Sequence, residues 1–132
     1  MIRKNPVGTH ILLDHHGGSR LTDASYLESA LKSAAHAAGA TILSSSFHTF
    51  GGHGGITGVL LLAESHISIH TWPEKSYAAI DIFMCGGTCP ERAVDCLAEL
   101  LHPVSVDITR IHRGALTEPE IPPVQIVADQ SM

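Results

Sequence analysis

The stretch 60–74 constrains this chain more than any other part of the sequence. An apolar run, Leu60 to Ala63, continues directly into Glu64 and Ser65, and two histidines, His66 and His70, follow. A small domain usually closes an apolar strand with turn residues, whereas this one continues into a polar segment. We therefore predict two strands, 56–63 and 65–71, that meet at the peptide bond between residues 64 and 65.

The rest of the chain supplies four more strands and two helices. Strands are expected at 7–14, 40–50, 77–85 and 103–111, and Asp14 to Arg20 is expected to be a polar loop. A first helix, capped by Thr22 or Asp23, should end near Ala38, and a second should begin at Pro90. The order β-α-β-β followed by β-β-α-β predicts an α+β fold, a two-layer α/β sandwich whose mainly antiparallel sheet carries its helices on one face.

Length, charge and cysteine content narrow the class of protein. The 132 residues fit a single domain, 1–132, and the net charge of -5 with only 8 Lys and Arg argues against nucleic acid as a partner. Apolar segments are shorter than the roughly 18 residues of a membrane span. The first six residues lack the apolar core of a signal peptide, and the 3 cysteines suit a reducing compartment, so the predicted location is cytoplasmic. Residues 117–132, which contain three prolines, are expected to form a flexible tail.

A serine hydroxyl that directly follows a strained or polarised carbonyl can break its own chain. Ser65 Oγ would attack the Glu64 carbonyl, the amide would become an ester, and β-elimination would leave dehydroalanine at position 65. Hydrolysis would then release ammonia and leave a pyruvoyl group, which forms a Schiff base with an amine substrate and accepts electrons as CO2 leaves. The Glu-Ser dipeptide alone is too common to establish this chemistry.

A longer segment makes the interpretation specific. It comprises Glu64-Ser65-His66-Ile67-Ser68-Ile69-His70-Thr71-Trp72-Pro73-Glu74, then Tyr77-Ala78-Ala79-Ile80-Asp81-Ile82-Phe83, then Cys85-Gly86. This segment resembles the signature of the small prokaryotic S-adenosylmethionine decarboxylase proenzymes, and the similarity runs from about Gly8 to about Gly114. The resemblance implies a self-processing, pyruvoyl-dependent decarboxylase that converts S-adenosylmethionine to its decarboxylated form and CO2 for spermidine biosynthesis.

The resemblance also assigns roles to individual residues. Ser65 becomes the pyruvoyl group, His70 assists cleavage as an acid or base, and Cys85 donates the proton in decarboxylation. Thr57 occupies the place of a hydroxyl residue that helps processing, although a serine is the expected residue there, and Glu64 provides the attacked carbonyl. Without the resemblance, Ser65, His70 and Cys85 would be interpreted as ordinary strand and core residues.

Processing between residues 64 and 65 would yield a beta chain, 1–64, and an alpha chain, 65–132. The two should stay together because their strands share one sheet, and the resemblance implies a homodimer of such pairs with the helices outside. Side-chain alternation raises a difficulty, since Ser65 and His70 face opposite sides of a regular strand. Their cooperation requires a bend or bulge just after Ser65, or a position for Ser65 at the mouth of the strand.

Substrate recognition is less marked in the sequence. A sulfonium nucleoside favours an aromatic face and a carboxylate for the ribose hydroxyls, for which Phe50 and Glu74 are the candidates. The segment 14–18 departs from the more hydrophobic, cysteine-containing one expected in the family, so arginine or ornithine is the alternative substrate. The 10 histidines also allow a non-enzymatic metal-binding module, but their spacing matches no zinc pattern and no metal ligands are assigned.

Overall fold

The computed structural model describes residues 7–114, which contain six strands and two helices. In chain order these are β1 (Gly8–His16), α1 (Ala24–Ala38), β2 (Ile42–Thr49), β3 (Ile56–Leu62), β4 (Ser65–Trp72), a 3-10 turn (Pro73–Lys75), β5 (Tyr77–Cys85), α2 (Pro90–Leu101) and β6 (Ser105–Arg113). The predicted α+β class is confirmed, and the predicted tail, 117–132, lies outside the described residues.

All six strands form one sheet in the order β2-β3-β4-β5-β1-β6, and every neighbouring pair is antiparallel. The strand β1 lies between β5 and β6, although it precedes them by most of the chain. The two halves suggested by the order of elements are therefore interlocked: a strand of the first half completes the sheet of the second.

Both helices cover the same face of the sheet. In α1 the apolar residues at three- and four-residue spacing, Leu27, Ala30, Leu31, Ala34 and Ala38, are buried, and in α2 Ala93, Val94, Leu97 and Leu101 are buried with them. Alternate side chains of the central strands, such as Ile11, Ile67 and Ile82, pack beneath them and are fully buried. Each such aliphatic side chain contributes roughly 1.5–3 kcal/mol by leaving water. Alternation along the strands therefore defines a covered face and an opposite face, called here the open face.

The ends of α1 follow local chemistry. Asp23 is the N-cap, and its carboxylate accepts a hydrogen bond from the Tyr26 backbone N–H at 3.0 Å. Gly39 ends the helix with a φ of 81°, a conformation that costs glycine little. The sequence left Thr22 and Asp23 as alternatives, and the aspartate takes the position.

The predicted loop after the first strand is wrong at its start. β1 continues through His16, pairing residue by residue with β5 on one side and β6 on the other, so that Asp14 lies opposite Ala79 and His16 opposite Tyr77. The neighbouring strands β5 and β6 provide hydrogen-bond partners for the backbone groups of this polar segment. These pairings outweigh the low strand propensity of its residues. As a result His15 points into the covered face and is 1% exposed.

The open face carries apolar side chains that no helix covers. Leu12, Leu61 and Ile111 are each more than a third exposed there. Isolated exposed apolar residues are ordinary, but several on one flat sheet face are typical of a surface that packs against a partner. Among the residues described, no helix combines the length and the apolar character needed to cross a bilayer.

Candidate active site

The Glu64–Ser65 peptide bond lies at a tight hairpin between β3 and β4. Leu62 pairs with Ser65, so the turn contains only Ala63 and Glu64, and Glu64 has a φ of 60°. A side chain with a Cβ pays roughly 1–2 kcal/mol in this left-handed region, where glycine would be favoured. The bond predicted to react therefore follows a residue in an unfavourable backbone conformation.

Ser65 and Cys85 lie together beside this turn. Ser65 is the first residue of β4 and Cys85 the last residue of β5, and both are half-buried. The Cys85 backbone N–H donates a hydrogen bond to Ser65 Oγ at 3.3 Å, while the Cys85 carbonyl accepts one from the Thr88 hydroxyl at 2.7 Å. A donor aimed at Oγ favours the negative charge that this oxygen develops as it loses its proton.

His70 and Thr57 meet at the opposite end of the same strands. They are direct partners across β3 and β4, and His70 Nδ1 lies 3.2 Å from Thr57 Oγ1. Both side chains lie on the open face. The hydroxyl predicted to help processing is therefore a hydrogen-bond partner of the predicted acid or base, and it fixes the orientation of the imidazole ring.

Thr57 and His70 line a cavity of about 230 Å³, and Phe50 and Glu74 also form part of its wall. Its rim is the glycine-rich loop between β2 and β3, and Phe50 is 52% exposed there. At Gly55 an added Cβ would come within 2.8 Å of the Thr71 carbonyl oxygen, so only glycine allows the loop to approach β4 so closely. The structure thus brings together four of the predicted site residues, namely Phe50, Thr57, His70 and Glu74.

Thr71 lines this cavity and Tyr77 packs against Trp72 of its lining, and neither was predicted from the sequence as a site residue. Thr71 is buried, and its hydroxyl accepts a hydrogen bond from the Ile56 N–H at 2.9 Å and donates one to the Leu21 carbonyl at 2.8 Å, which ties the loop to the covered face. Tyr77 stacks on Trp72 at 5.4 Å, and its hydrogen bond to the Asp14 carboxylate raises the pKa of Tyr77 to about 12. Their presence in the quoted signature was the available signal.

The structure does not bring the two groups of site residues together within one chain. Five residues of strand separate Ser65 from His70, which corresponds to roughly 16 Å. The pairing of β4 with β3 and β5 continues without a shift in register, so the predicted bulge is not found. The other predicted arrangement is found, because Ser65 occupies the mouth of the strand next to the turn.

Comparisons with known proteins identify the family. The family described as S-adenosylmethionine decarboxylase matches residues 9–114. A Methanococcus aeolicus S-adenosylmethionine decarboxylase proenzyme is 41% identical over 115 residues, covering 85% of this chain and 97% of the relative. One from Parasynechococcus marenigrum is 48% identical over 98 residues, or 72% and 76% of the two chains.

A solved structure is similar as well. The crystal structure of the adenosylmethionine decarboxylase from Aquifex aeolicus superposes with a TM-score of 0.74 at 37% identity, over 87% of this chain and 97% of that one. The family match spans both ends of β4, the turn before Ser65 and the cavity alike. The chain belongs to the S-adenosylmethionine decarboxylase family.

Proposed function

We propose that this protein is a self-processing decarboxylase that converts S-adenosylmethionine to CO2 and decarboxylated S-adenosylmethionine. The decarboxylated product is the aminopropyl donor for spermidine synthesis. The observation that carries the proposal is the position of Ser65 at a strained hairpin, with the Cys85 N–H on its hydroxyl oxygen, in a chain of this family. Ser65 is the proposed source of a pyruvoyl group. The cytoplasmic location predicted from the sequence remains a prediction.

Self-cleavage uses groups at the hairpin. Ser65 Oγ attacks the Glu64 carbonyl carbon, the C–N bond breaks, and an ester joins the two residues. Removal of the Ser65 α-proton then breaks the Cβ–O bond, which releases residues 1–64 with a carboxylate at Glu64. Water replaces the nitrogen at position 65, ammonia leaves, and residues 65–132 begin with the pyruvoyl group. The left-handed φ of Glu64 supports this assignment, because opening the amide relieves an unfavourable conformation.

The residues around position 65 fit a group of this size and chemistry. The pyruvoyl carbonyl supplies an electron sink for decarboxylation. Cys85 is next to it and is proposed to return a proton to the substrate α-carbon after CO2 leaves, with the half-buried thiol held at the end of β5. His70 is proposed to act as the acid or base of processing, oriented by Thr57.

The distance between these groups supports a site shared by two chains. A cavity of about 230 Å³ is smaller than the roughly 300 Å³ at the low end of ligand sites, and it lies about 16 Å from Ser65. A two-fold axis across the strands, level with Ser68, would lay the Ser65 end of one chain over the His70 end of another. We propose that the open faces of two chains pack in this way, with the helices outside.

Within such a site Phe50 and Glu74 are proposed as the groups that recognise the substrate. Phe50 offers an exposed ring for the adenine or the sulfonium, and Glu74 offers a carboxylate for the ribose hydroxyls. The departure at 14–18 that suggested arginine or ornithine changes the covered face and the end of β1. It does not alter the cavity lining, so no observation favours those substrates.

The test combines mass and turnover. Intact-mass spectrometry should find two fragments in the wild type, whose masses sum to the precursor plus one water and minus one ammonia, and one 14.0 kDa chain in Ser65→Ala. Carboxyl-labelled S-adenosylmethionine should release CO2 with the wild type only, while labelled arginine and ornithine should not. An uncleaved wild type that is folded and dimeric would contradict the pyruvoyl proposal, and release from arginine alone would contradict the substrate.

A further inference from the structure

Three metal-ligating side chains meet on the open face, away from the cavity. His10 lies on β1, His66 on β4 and Asp81 on β5, and one ligand atom from each falls within 4.8 Å of the other two. Two imidazoles and a carboxylate form a donor set that suits Zn²⁺ and neighbouring divalent transition metals. None of the three is used in the proposed self-cleavage or decarboxylation.

The sheet register explains why these residues meet. His10 and His66 both pair with Phe83, one from each side, so the two histidines flank the same residue of β5. Asp81 is two residues along β5 and therefore projects from the same face. The Phe83 ring contacts both imidazoles, with centroid distances of 5.5 Å to His10 and 6.1 Å to His66, and this packing restricts their rotation.

The distances fit an ion after small adjustments. His66 Nε2 lies 2.8 Å from Asp81 Oδ1, and His10 Nε2 lies 3.2 Å from the same oxygen. Ligand atoms bound tetrahedrally at about 2.0–2.2 Å are separated by roughly 3.3 Å. Both histidine–carboxylate separations are within about half an ångström of that value, and the two imidazole nitrogens lie within 4.8 Å of each other. Three protein ligands would leave one coordination position for water or another group.

The state of His10 favours an ion over a simple hydrogen-bonded cluster. His66 Nε2 makes a hydrogen bond with Asp81. His10 Nε2 lies 3.2 Å from the same carboxylate oxygen, but the angle is poor, and within the part of the chain that the structure describes this solvent-shielded atom makes no hydrogen bond. A buried ring nitrogen without a partner loses its hydration without compensation. A metal ion bound between the three side chains would accept its lone pair.

We propose that His10, His66 and Asp81 form a binding site for one zinc-class divalent ion per chain. The site crosses three neighbouring strands and lies one residue from the cleavage serine. Because β1 belongs to the fragment 1–64 and the other two strands to 65–132, a bound ion would also join the two fragments after processing.

The experiment is metal binding to the untagged, full-length protein, with Zn²⁺ in competition with a chromophoric chelator and Co²⁺ followed by its absorption. We expect one ion per chain, and at least a 100-fold weaker affinity in Asp81→Asn, which keeps the shape of the side chain. His102→Asn is the matched control, because His102 is an exposed histidine in a left-handed conformation that asparagine tolerates, and its affinity should stay within twofold.

Measurement on the Ser65→Ala precursor separates this proposal from the proposed function, because binding there does not depend on processing. Circular dichroism of Asp81→Asn without metal should show a native spectrum. The proposal would be overturned by a folded wild type that binds no stoichiometric Zn²⁺, or by binding that Asp81→Asn and His10→Asn leave unchanged. In either case the three residues form a hydrogen-bonded cluster only.

Discussion

The two ends of β4 differ in construction. At the Ser65 end a two-residue turn holds Glu64 in a left-handed conformation, and neighbouring strands end in register beside it. At the His70 end a long glycine-rich loop folds back over the strand and encloses a cavity. The first end carries a bond under backbone strain, and the second carries groups that can bind and exchange protons. One chain therefore carries both the strained Glu64–Ser65 bond and the proton-exchanging groups around His70, but holds them a strand length apart.

The largest expected effect tests that separation. His70→Ala should slow self-cleavage by roughly 10²–10⁴-fold, the usual contribution of a general acid or base. Co-expression with uncleavable Ser65→Ala should restore cleavage of the His70→Ala chain, because each variant supplies what the other lacks. Intact masses of the mixed dimer report the result. If the mixed dimer forms but the His70→Ala chain stays uncleaved, His70 acts only on its own chain.

At the Ser65 end, the thiol and the backbone of Cys85 should be separable. Cys85→Ser keeps the N–H that binds Ser65 Oγ, so processing should continue, while decarboxylation should fall by roughly 10²-fold or more. The matched control is Cys89→Ser, at the exposed N-cap of α2, where activity should stay within twofold. Equal losses in both variants, measured as CO2 release by fully processed enzyme, would contradict the role of Cys85.

Acid should affect the His70 end more than the Ser65 end. His15 lies there beside Ala78, and burial, with a smaller effect from His16, lowers the pKa of His15 from 6.5 to about 4. Between about pH 4 and pH 6.5, His15 therefore binds a proton in the unfolded chain but not in the folded chain. Stability from this residue is complete above pH 6.5 and is lost towards pH 4, by up to about 3 kcal/mol.

Urea unfolding of Ser65→Ala at pH 7.5 and pH 5 measures this loss. In a His15→Phe background the difference between the two pH values should shrink by about 1–2 kcal/mol. His102→Phe serves as an exposed control and should leave the difference as it is. A pH dependence that survives His15→Phe unchanged would assign it to other groups.

Substitution of a side chain that lines the cavity should have a smaller effect, on substrate binding. Phe50→Ala should raise KM for S-adenosylmethionine by about tenfold with little change in kcat, which corresponds to the 1–2 kcal/mol of an aromatic contact with a cation. Leu43→Ala removes another exposed apolar side chain from the flanking strand and should change neither constant. An unchanged KM in Phe50→Ala would remove Phe50 from the site.

The smallest effect concerns the turn. In uncleavable Ser65→Ala, Glu64→Gly should stabilise the precursor by up to about 1 kcal/mol, since glycine adopts a φ of 60° without strain. Ala63→Gly, at the neighbouring position with a negative φ, should instead destabilise it by about 0.5–1 kcal/mol. Thermal unfolding distinguishes the two, and equal shifts would show that Glu64 stores no strain.

The helices and their buried stripes were predictable because each has a local signal: Gly39, Asp23 and the spacing of apolar residues. The strand conformation of the segment from Asp14 to His16 was not predictable, because its polar composition gives no sign of β5 and β6, which pair with it on either side. The candidate site was proposed as a set of residues through the family signature, and the roles of those residues stay predictions. Its division between two ends of a strand became visible only in the register, since sequence order places Ser65 and His70 close together.

The insertion of β1 between β5 and β6 also determines when the sheet can be completed. During synthesis β1 emerges first but has no partner until β5 is made, and its second edge stays open until Arg113 has left the ribosome. Pairings between residues about a hundred positions apart form slowly compared with a local hairpin. The proposed self-cleavage uses the Cys85 N–H on Ser65 Oγ, so its groups come together only after β5 has formed. Under that proposal, a nascent chain does not cut itself before much of its second fragment exists.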